Sequence, residues 1–404
     1  MTRRATLAAA VVAALGAALV AVAAPAAHGD PWRLRSNALS QSQADTPVGL
    51  LTLRADGAVR TWLSAEAVVW VGAGDEAEAD AMVVSVKMRD PKHRGELQVG
   101  RFVVVPGAVR PIHVDGARGV AFLPWDTSLT LFGGIPVVPE FGANRYDWVV
   151  GSRAARQLGD WGSVGVAWMQ RRTSGRLDDQ EVGVDAGVGV TRWLDVGGRL
   201  AYDVVDPGVS DAIVSAAARR GAWRWELFGS HRSASRILPA TSLFTVLGDI
   251  ATEKLGATTR WRAAPRLDVT GTAAARYYAN EVDDDDQLGV ELLLRSVLRL
   301  DDVGRRAISL ELRREDAPDT GWTGARAALR YPIDDRFTVA NELELVVPDE
   351  SEGRGTVWPW GLAGLTWAIT SDWKAAAAIE MSASPQYRYR IDGIARLTRD
   401  WGAL

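Results

Sequence analysis

Between Glu181 and Val190 the chain reads Glu-Val-Gly-Val-Asp-Ala-Gly-Val-Gly-Val, so Val182, Val184, Ala186, Val188 and Val190 share one face. Glu181, Gly183, Asp185, Gly187 and Gly189 share the other. A period of two is the mark of a strand, because successive side chains point to opposite faces. After Arg192-Trp193-Leu194 the alternation resumes, with Val196, Gly198, Leu200, Tyr202 and Val204 set against Asp195, Gly197, Arg199, Ala201 and Asp203. The two segments predict a hairpin. The same device recurs from Leu267 to Tyr278, from Ile308 to Arg313, from Trp373 to Met381 and from Tyr387 to Thr398. Each such segment is about ten residues long, the length that crosses a bilayer as a tilted strand.

Connection lengths separate a membrane barrel from a soluble sandwich, since such barrels alternate tight turns on one side with longer loops on the other. Short turns are predicted at Asp56-Gly57, Pro91-Lys92, Pro124-Trp125, Gly159-Asp160, Trp193-Leu194, Gly221, Ala264-Pro265, Asp301 to Gly304, Ile333 to Asp335 and Ser371-Asp372. Longer polar stretches alternate with them: Pro106 to Ala117, Thr173 to Gln180, Arg232 to Ile250, Asn280 to Gln287, Asp316 to Gly321 and Pro348 to Thr356. The count predicts 18 to 22 strands, with the first pair, Trp32 to Leu53, the most weakly patterned. The chain also has 17 tryptophans. Trp62, Trp125, Trp161, Trp193, Trp223, Trp261, Trp367, Trp373 and Trp401 gather at the short-turn ends, as an interfacial aromatic girdle requires. A soluble sandwich would hold them mid-strand. Only a closed barrel pairs every backbone group in lipid without leaving an edge.

Composition adds an export signal. Arg3-Arg4 precede an apolar run from Ala5 to Ala24, and Ala26-Ala27-His28-Gly29 supplies small residues for cleavage, so 1–29 reads as a signal peptide and 30–404 as one barrel domain. Cysteine is absent, which excludes a lipid-anchored Cys, a disulfide framework and a thiolate metal site. The formal charge of −4 becomes about −6 without Arg3 and Arg4, a mild negative balance that argues against a nucleic-acid partner.

Charges on the non-apolar faces include Asp185, Arg199, Asp203, Arg260, Arg262, Arg295, Arg299, Arg313, Arg326, Arg330, Glu342, Glu344, Arg388, Arg390 and Arg396. An arginine facing lipid at mid-depth costs about 2–4 kcal/mol, so these groups are expected to line a wet lumen. Two roles remain open for them: bracing the wall by pairing across strands, or attracting anions, most of all from Arg295 to Arg330 and from Arg388 to Arg396. The apolar Leu243 to Leu247 inside the Arg232 to Ile250 loop is a candidate for an inward-folded constriction. The acidic Asn280 to Gln287 loop lacks the glycine and spacing of a Ca²⁺ loop and reads as a solvated loop. Of four histidines only His93, His113 and His231 follow the signal, and neither His113 near Asp115 nor His231 beside Ser230 has a nucleophile at motif spacing. No catalytic, metal or cofactor site is expected.

The signal, the repeated hairpins, the tryptophan girdle of Trp62, Trp161, Trp193, Trp223, Trp261, Trp373 and Trp401, and the terminal strand from Tyr387 to Trp401 resemble bacterial outer-membrane β-barrels of the porin-like and alginate-export-like kinds. The resemblance covers about residues 48–401. The segment from Gly100 to Ala117 is also similar to one near the start of some uncharacterised outer-membrane barrels. One departure is that Gly402-Ala403-Leu404 follow Trp401, where the family ends on an aromatic. The resemblance implies a transmembrane antiparallel up-and-down barrel in a Gram-negative-type outer membrane. It implies the bilayer, lipopolysaccharide and the barrel-insertion machinery as partners, and leaves a homo-oligomer open. The expected activity is a porin-like channel or exporter for small hydrophilic solutes, anions among them. Alternatives are a structural or adhesion barrel with partner-binding outer loops and, behind it, an outer-membrane hydrolase.

Overall fold

The computed structural model describes residues 32–43, 46–73, 77–137, 146–233, 251–279, 287–316, 321–349, 357–384 and 387–401. The signal segment 1–29, most of the Arg232 to Ile250 loop and the acidic loop from Asn280 lie outside the described residues. In chain order the strands are β1 Trp32–Gln43, β2 Thr46–Arg60, β3 Leu63–Ala73, β4 Ala77–Arg89, β5 Gly95–Val104, β6 Ile112–Leu123, β7 Thr127–Pro136 and β8 Tyr146–Gln157. There follow β9 Gly162–Thr173, β10 Arg176–Thr191, β11 Leu194–Asp203, β12 Gly208–Arg220, β13 Trp223–Arg232, β14 Ala251–Ala264 and β15 Leu267–Ala279. The last seven are β16 Gln287–Arg299, β17 Ala307–Asp316, β18 Trp322–Pro332, β19 Phe337–Pro348, β20 Trp358–Ala368, β21 Trp373–Ser384 and β22 Tyr387–Trp401.

All 22 strands among the described residues belong to one antiparallel up-and-down sheet. β1 pairs with β2 on one side and with β22 on the other, from Leu34 opposite Trp401 to Gln41 opposite Ile394, so the first and last strands close a barrel. The weakly patterned start of the chain therefore contributes two full strands, and the count takes the upper end of the expected range.

The chain divides into two compact units. One runs to Val86 and adds Val297–Glu311 and Thr323–Leu404; the other comprises Lys87–Ser296 and Leu312–Trp322. Within the first unit, Leu343 is 65% exposed and Ile379 57%, whereas Glu342, Glu344 and Glu380 occupy the opposite face. Within the second, Leu227 is 63% and Leu255 71% exposed, while Glu181 and Asp211 are at most 1% exposed. Large aliphatics outside and carboxylates inside is the reverse of a water-soluble core. It is what a barrel surrounded by lipid requires.

The turns follow the sequence with three corrections. Asp56-Gly57 lies inside β2, opposite Glu66 and Ala65, and the turn comes later at Thr61-Trp62. Thr173 to Gln180 is no long loop: Ser174 (φ 52°) and Gly175 (φ 75°) make a two-residue turn, and Arg176 already belongs to β10. Two successive positive φ values match the twist of a hairpin, and glycine at the second makes this cheap. Pro106 to Ala117 is also shorter than expected, because Ile112 begins β6. In the β4–β5 turn the Asp90 carboxylate accepts hydrogen bonds from the Arg94 backbone (3.2 Å) and Nε (2.6 Å), which holds it below the usual carboxylate range.

Candidate functional site

The connection between β5 and β6, residues 105–111, lies on the inner wall of its unit. Parity shows this: Val182 and Val184 of β10 are exposed on the outer face, so Glu181, Gly183 and Asp185 face inward, and the connection rests on those three. A Cβ on Gly183 would stand 2.9 Å from the Ala108 Cβ and 3.0 Å from Val109 Cγ1. Gly107 has φ +73°, and a Cβ there would collide with Asp185 Oδ1 and Arg153 Nε. Glycine is needed at 107 both for the left-handed backbone and for this approach.

Two forces hold the connection down. The first is apolar: Val109 is packed with Phe102, Val104, Ile112, Val114, Phe132, Val149, Ala167 and Met169 in one buried cluster. Burying a side chain of Val or Met size contributes roughly 1.5–3 kcal/mol. The second is ionic. Arg110 donates through its backbone N (2.8 Å) and its Nε (3.1 Å) to the two oxygens of Glu181, and its guanidinium also stands 3.4 Å from Asp179. Ser210 Oγ donates to Glu181 from the far side at 3.1 Å. Arg171 extends the network to Asp178 at 2.8 Å and Asp179 at 3.8 Å. Buried carboxylates of this kind survive only when such donors surround them.

The remaining charges of this wall are joined across strands. Asp185 accepts from Arg153 at 2.6 Å and Arg199 donates to Asp211 at 2.8 Å. Asp203 accepts from the backbone of Val205 (2.8 Å) and Asp206 (3.2 Å) and so caps the β11–β12 turn. Arg260 (3.2 Å) and Arg262 (3.6 Å) share Asp268. Glu291 receives Lys254 at 2.6 Å and Arg276 at 2.7 Å, and Arg276 reaches on to Glu315 at 2.9 Å. Arg295 and Arg313 fall on the inward parity of β16 and β17, as does Arg299, whose end of β16 belongs to the first unit, since Leu292, Leu294, Leu310 and Leu312 are the exposed outer residues. In the other unit Arg326 pairs with Glu342, Arg390 donates to Asp392 at 2.5 Å and Arg396 to Asn37 at 2.8 Å. Arg330 and Glu344 share the inner parity of Arg326 and Glu342. The Arg388 side chain lies outside the described set.

Of the girdle tryptophans, Trp62, Trp161 and Trp193 stand in the short turns, 43%, 55% and 56% exposed. Trp223 stacks on Trp225 (5.9 Å) and on Trp261 (5.2 Å) on the outer face at the β13–β14 short-turn ends. Trp373 carries the Arg399 guanidinium over its ring at 4.8 Å. The Trp401 side chain lies outside the described set. Trp360 behaves differently from a rim residue: opposite Glu344 on the inner parity, it donates Nε1–H to Glu380 at 2.7 Å.

The constriction candidate of the sequence, within Arg232 to Ile250, lies outside the described residues, and the described inward segment is the β5–β6 connection instead. Its signal in the sequence was composition. Val-Val-Val-Pro-Gly-Ala-Val-Arg-Pro has one charge and none of the Asn, Asp and Ser that mark a solvated loop. An apolar inner cluster was equally unexpected in a lumen read as polar throughout. His231 lies on the outer parity, its Nδ1 3.4 Å from Glu253 and its Nε2 3.0 Å from the Val209 carbonyl, while Ser230 lies on the inner one.

No family model matches the chain, and no curated protein matches it. Solved structures do. The ferric citrate transporter FecA in its unliganded form is similar with a TM-score of 0.61 at 9% identity, over 93% of this chain and 79% of that one. The siderophore receptor PirA from Acinetobacter baumannii gives 0.61 at 8%, over 93% and 81%. The translocation pore of the P pilus usher PapC gives 0.54 at 10%, over 92% and 100%. At such identities the likeness is one of fold: this chain has the barrel architecture of those proteins.

Proposed function

We propose that this protein is an outer-membrane channel that passes small hydrophilic solutes along its charged inner wall, with the β5–β6 connection as a constriction on that wall. The observation that carries the reading is the segregation of the two faces: exposed Leu, Val and Ile outside, and ion pairs with a folded-in loop inside. A wall that only had to be stable would do as well with apolar packing, since buried ion pairs contribute little net stability. Charges that face a wet passage keep solute and water in contact with polar groups throughout. The proteins of similar fold support the reading, being a transporter, a receptor and a translocation pore.

Most of the inner arginines have a carboxylate within reach, which supports a braced, mixed-sign wall over a purely cationic filter. Small hydrophilic solutes in general are therefore the proposed cargo. The test is single-channel recording of the purified barrel in planar bilayers. Discrete conductance steps are expected; a folded, inserted barrel that stays silent would overturn the proposal. Silence would favour a second reading, a structural barrel, to which the apolar cluster beneath Val109 lends weight.

A further inference from the structure

The outer wall of β5 and β6 carries an ion pair where lipid should be. Leu97, Val99, Val103 and Val105 are 41–67% exposed on the outer parity of β5 and just beyond it, and Arg101 stands in the middle of that row. Opposite it in register is Asp115 of β6, and beyond Asp115 is Ile135 of β7, 53% exposed. Arg101 grips Asp115 with two parallel bonds, Nε to Oδ1 at 2.7 Å and Nη2 to Oδ2 at 2.8 Å. Their side chains keep 25% and 43% of their surface exposed, and that surface points away from the barrel. The pairing lowers but does not remove the cost of holding two charges against hydrocarbon.

We infer that this face is where a second copy of the chain docks, two barrels side by side about a two-fold axis along the membrane normal. Charge complementarity selects the occupant. Arg101 and Asp115 sit on neighbouring strands in register, so they lie beside one another along the wall. When two such walls face each other across a vertical two-fold axis, left meets right, and the arginine of each copy comes opposite the aspartate of the other. Four charges then form a closed square in place of two exposed to lipid. An anionic lipid headgroup fits less well, because Asp115 would face it with like charge. Beside the pair the outer positions Ala117 and Gly119 of β6 and Gly133 of β7 are small, and the exposed Leu131 of β7 stands between Gly119 and Ser152 of β8 as the nearest large residue. A Cβ built on Gly119 meets nothing within 4 Å. Small residues let membrane-embedded surfaces pack without a hydrophobic driving force.

The complete absence of cysteine makes the test clean. The full chain is reconstituted in liposomes as Ala117→Cys and, separately, as Val99→Cys, two outer positions that face each other across β5 and β6 beside the axis, and treated with a short bismaleimide. Leu343→Cys, on the outer wall of β19, serves as control. A dimer band from Ala117→Cys or Val99→Cys well above the control is expected, and Arg101→Leu with Asp115→Leu should reduce it to the control level. Light scattering of the wild type in mild detergent should give the mass of two chains. A single-chain mass together with no dimer band above control would overturn the inference. Neither result depends on whether the barrel conducts, so the channel proposal stands or falls separately.

Discussion

Arg110 and Glu181 show how a few atoms decide where a loop goes. Glu181 is fully buried on the inner wall and takes donors from the Arg110 backbone, the Arg110 side chain and Ser210. Removing one partner of such a set leaves the other charge buried without compensation, which costs roughly 3–5 kcal/mol. Arg110→Ala is accordingly expected to lower resistance to denaturant by about that amount, read as a shift in the heat- or urea-induced mobility change of the barrel on gels. Glu181→Gln should also destabilise, because Arg110 donates to both oxygens of Glu181 and an amide turns one of them into an N–H that faces a donor. The nearness of Arg110 to Glu181 was not legible in the chain, where 71 residues separate them. Sequence showed that Glu181 shares a face with Asp185; it held nothing about which connection would cross to that face.

At the scale of elements, a strand that alternates every second residue carries its own instructions. The β10 and β11 pattern placed Val182 and Val184 on one side and Asp185 and Arg199 on the other, and the hairpin forms with Asp185 directly opposite Arg199. Even so, Arg199 bonds to Asp211 of β12 and Asp185 to Arg153 of β8. Neighbours in register are not always partners, because long side chains choose among several carboxylates within reach. Loops were less legible than strands. Ser174-Gly175 reads equally as part of a polar loop or as a tight turn until the positive φ values are seen. The β5–β6 connection gives the sharpest prediction at this scale. Replacing Pro106–Arg110 by a Gly/Ser segment of equal length should leave the strand signal in far-ultraviolet circular dichroism unchanged and increase single-channel conductance. An unchanged conductance would remove the connection from the conducting path.

For the whole molecule, the decisive property is that the two faces of one sheet meet different solvents. Leu343→Arg on the outer wall of β19 is expected to cost about 2–4 kcal/mol, whereas Ala340→Arg, on the inner parity of the same strand, should cost little. Folding yields into liposomes at graded urea concentrations would measure the difference. Equal sensitivity at the two positions would contradict the assignment of faces. The sequence by itself determined the strand period, most of the short turns, the tryptophans at the short-turn ends and the face of β10 and β11 on which charge would lie. All of these follow from local geometry and from the cost of placing charge in hydrocarbon, which act on a few neighbouring residues at a time. Only the tertiary structure decided that β1 meets β22, that the Arg232 to Ile250 loop is not the only candidate for a constriction, and that Arg101 and Asp115 form an ion pair on the outer wall. Those outcomes depend on register and closure among residues tens to hundreds of positions apart, a distance over which periodicity carries no information.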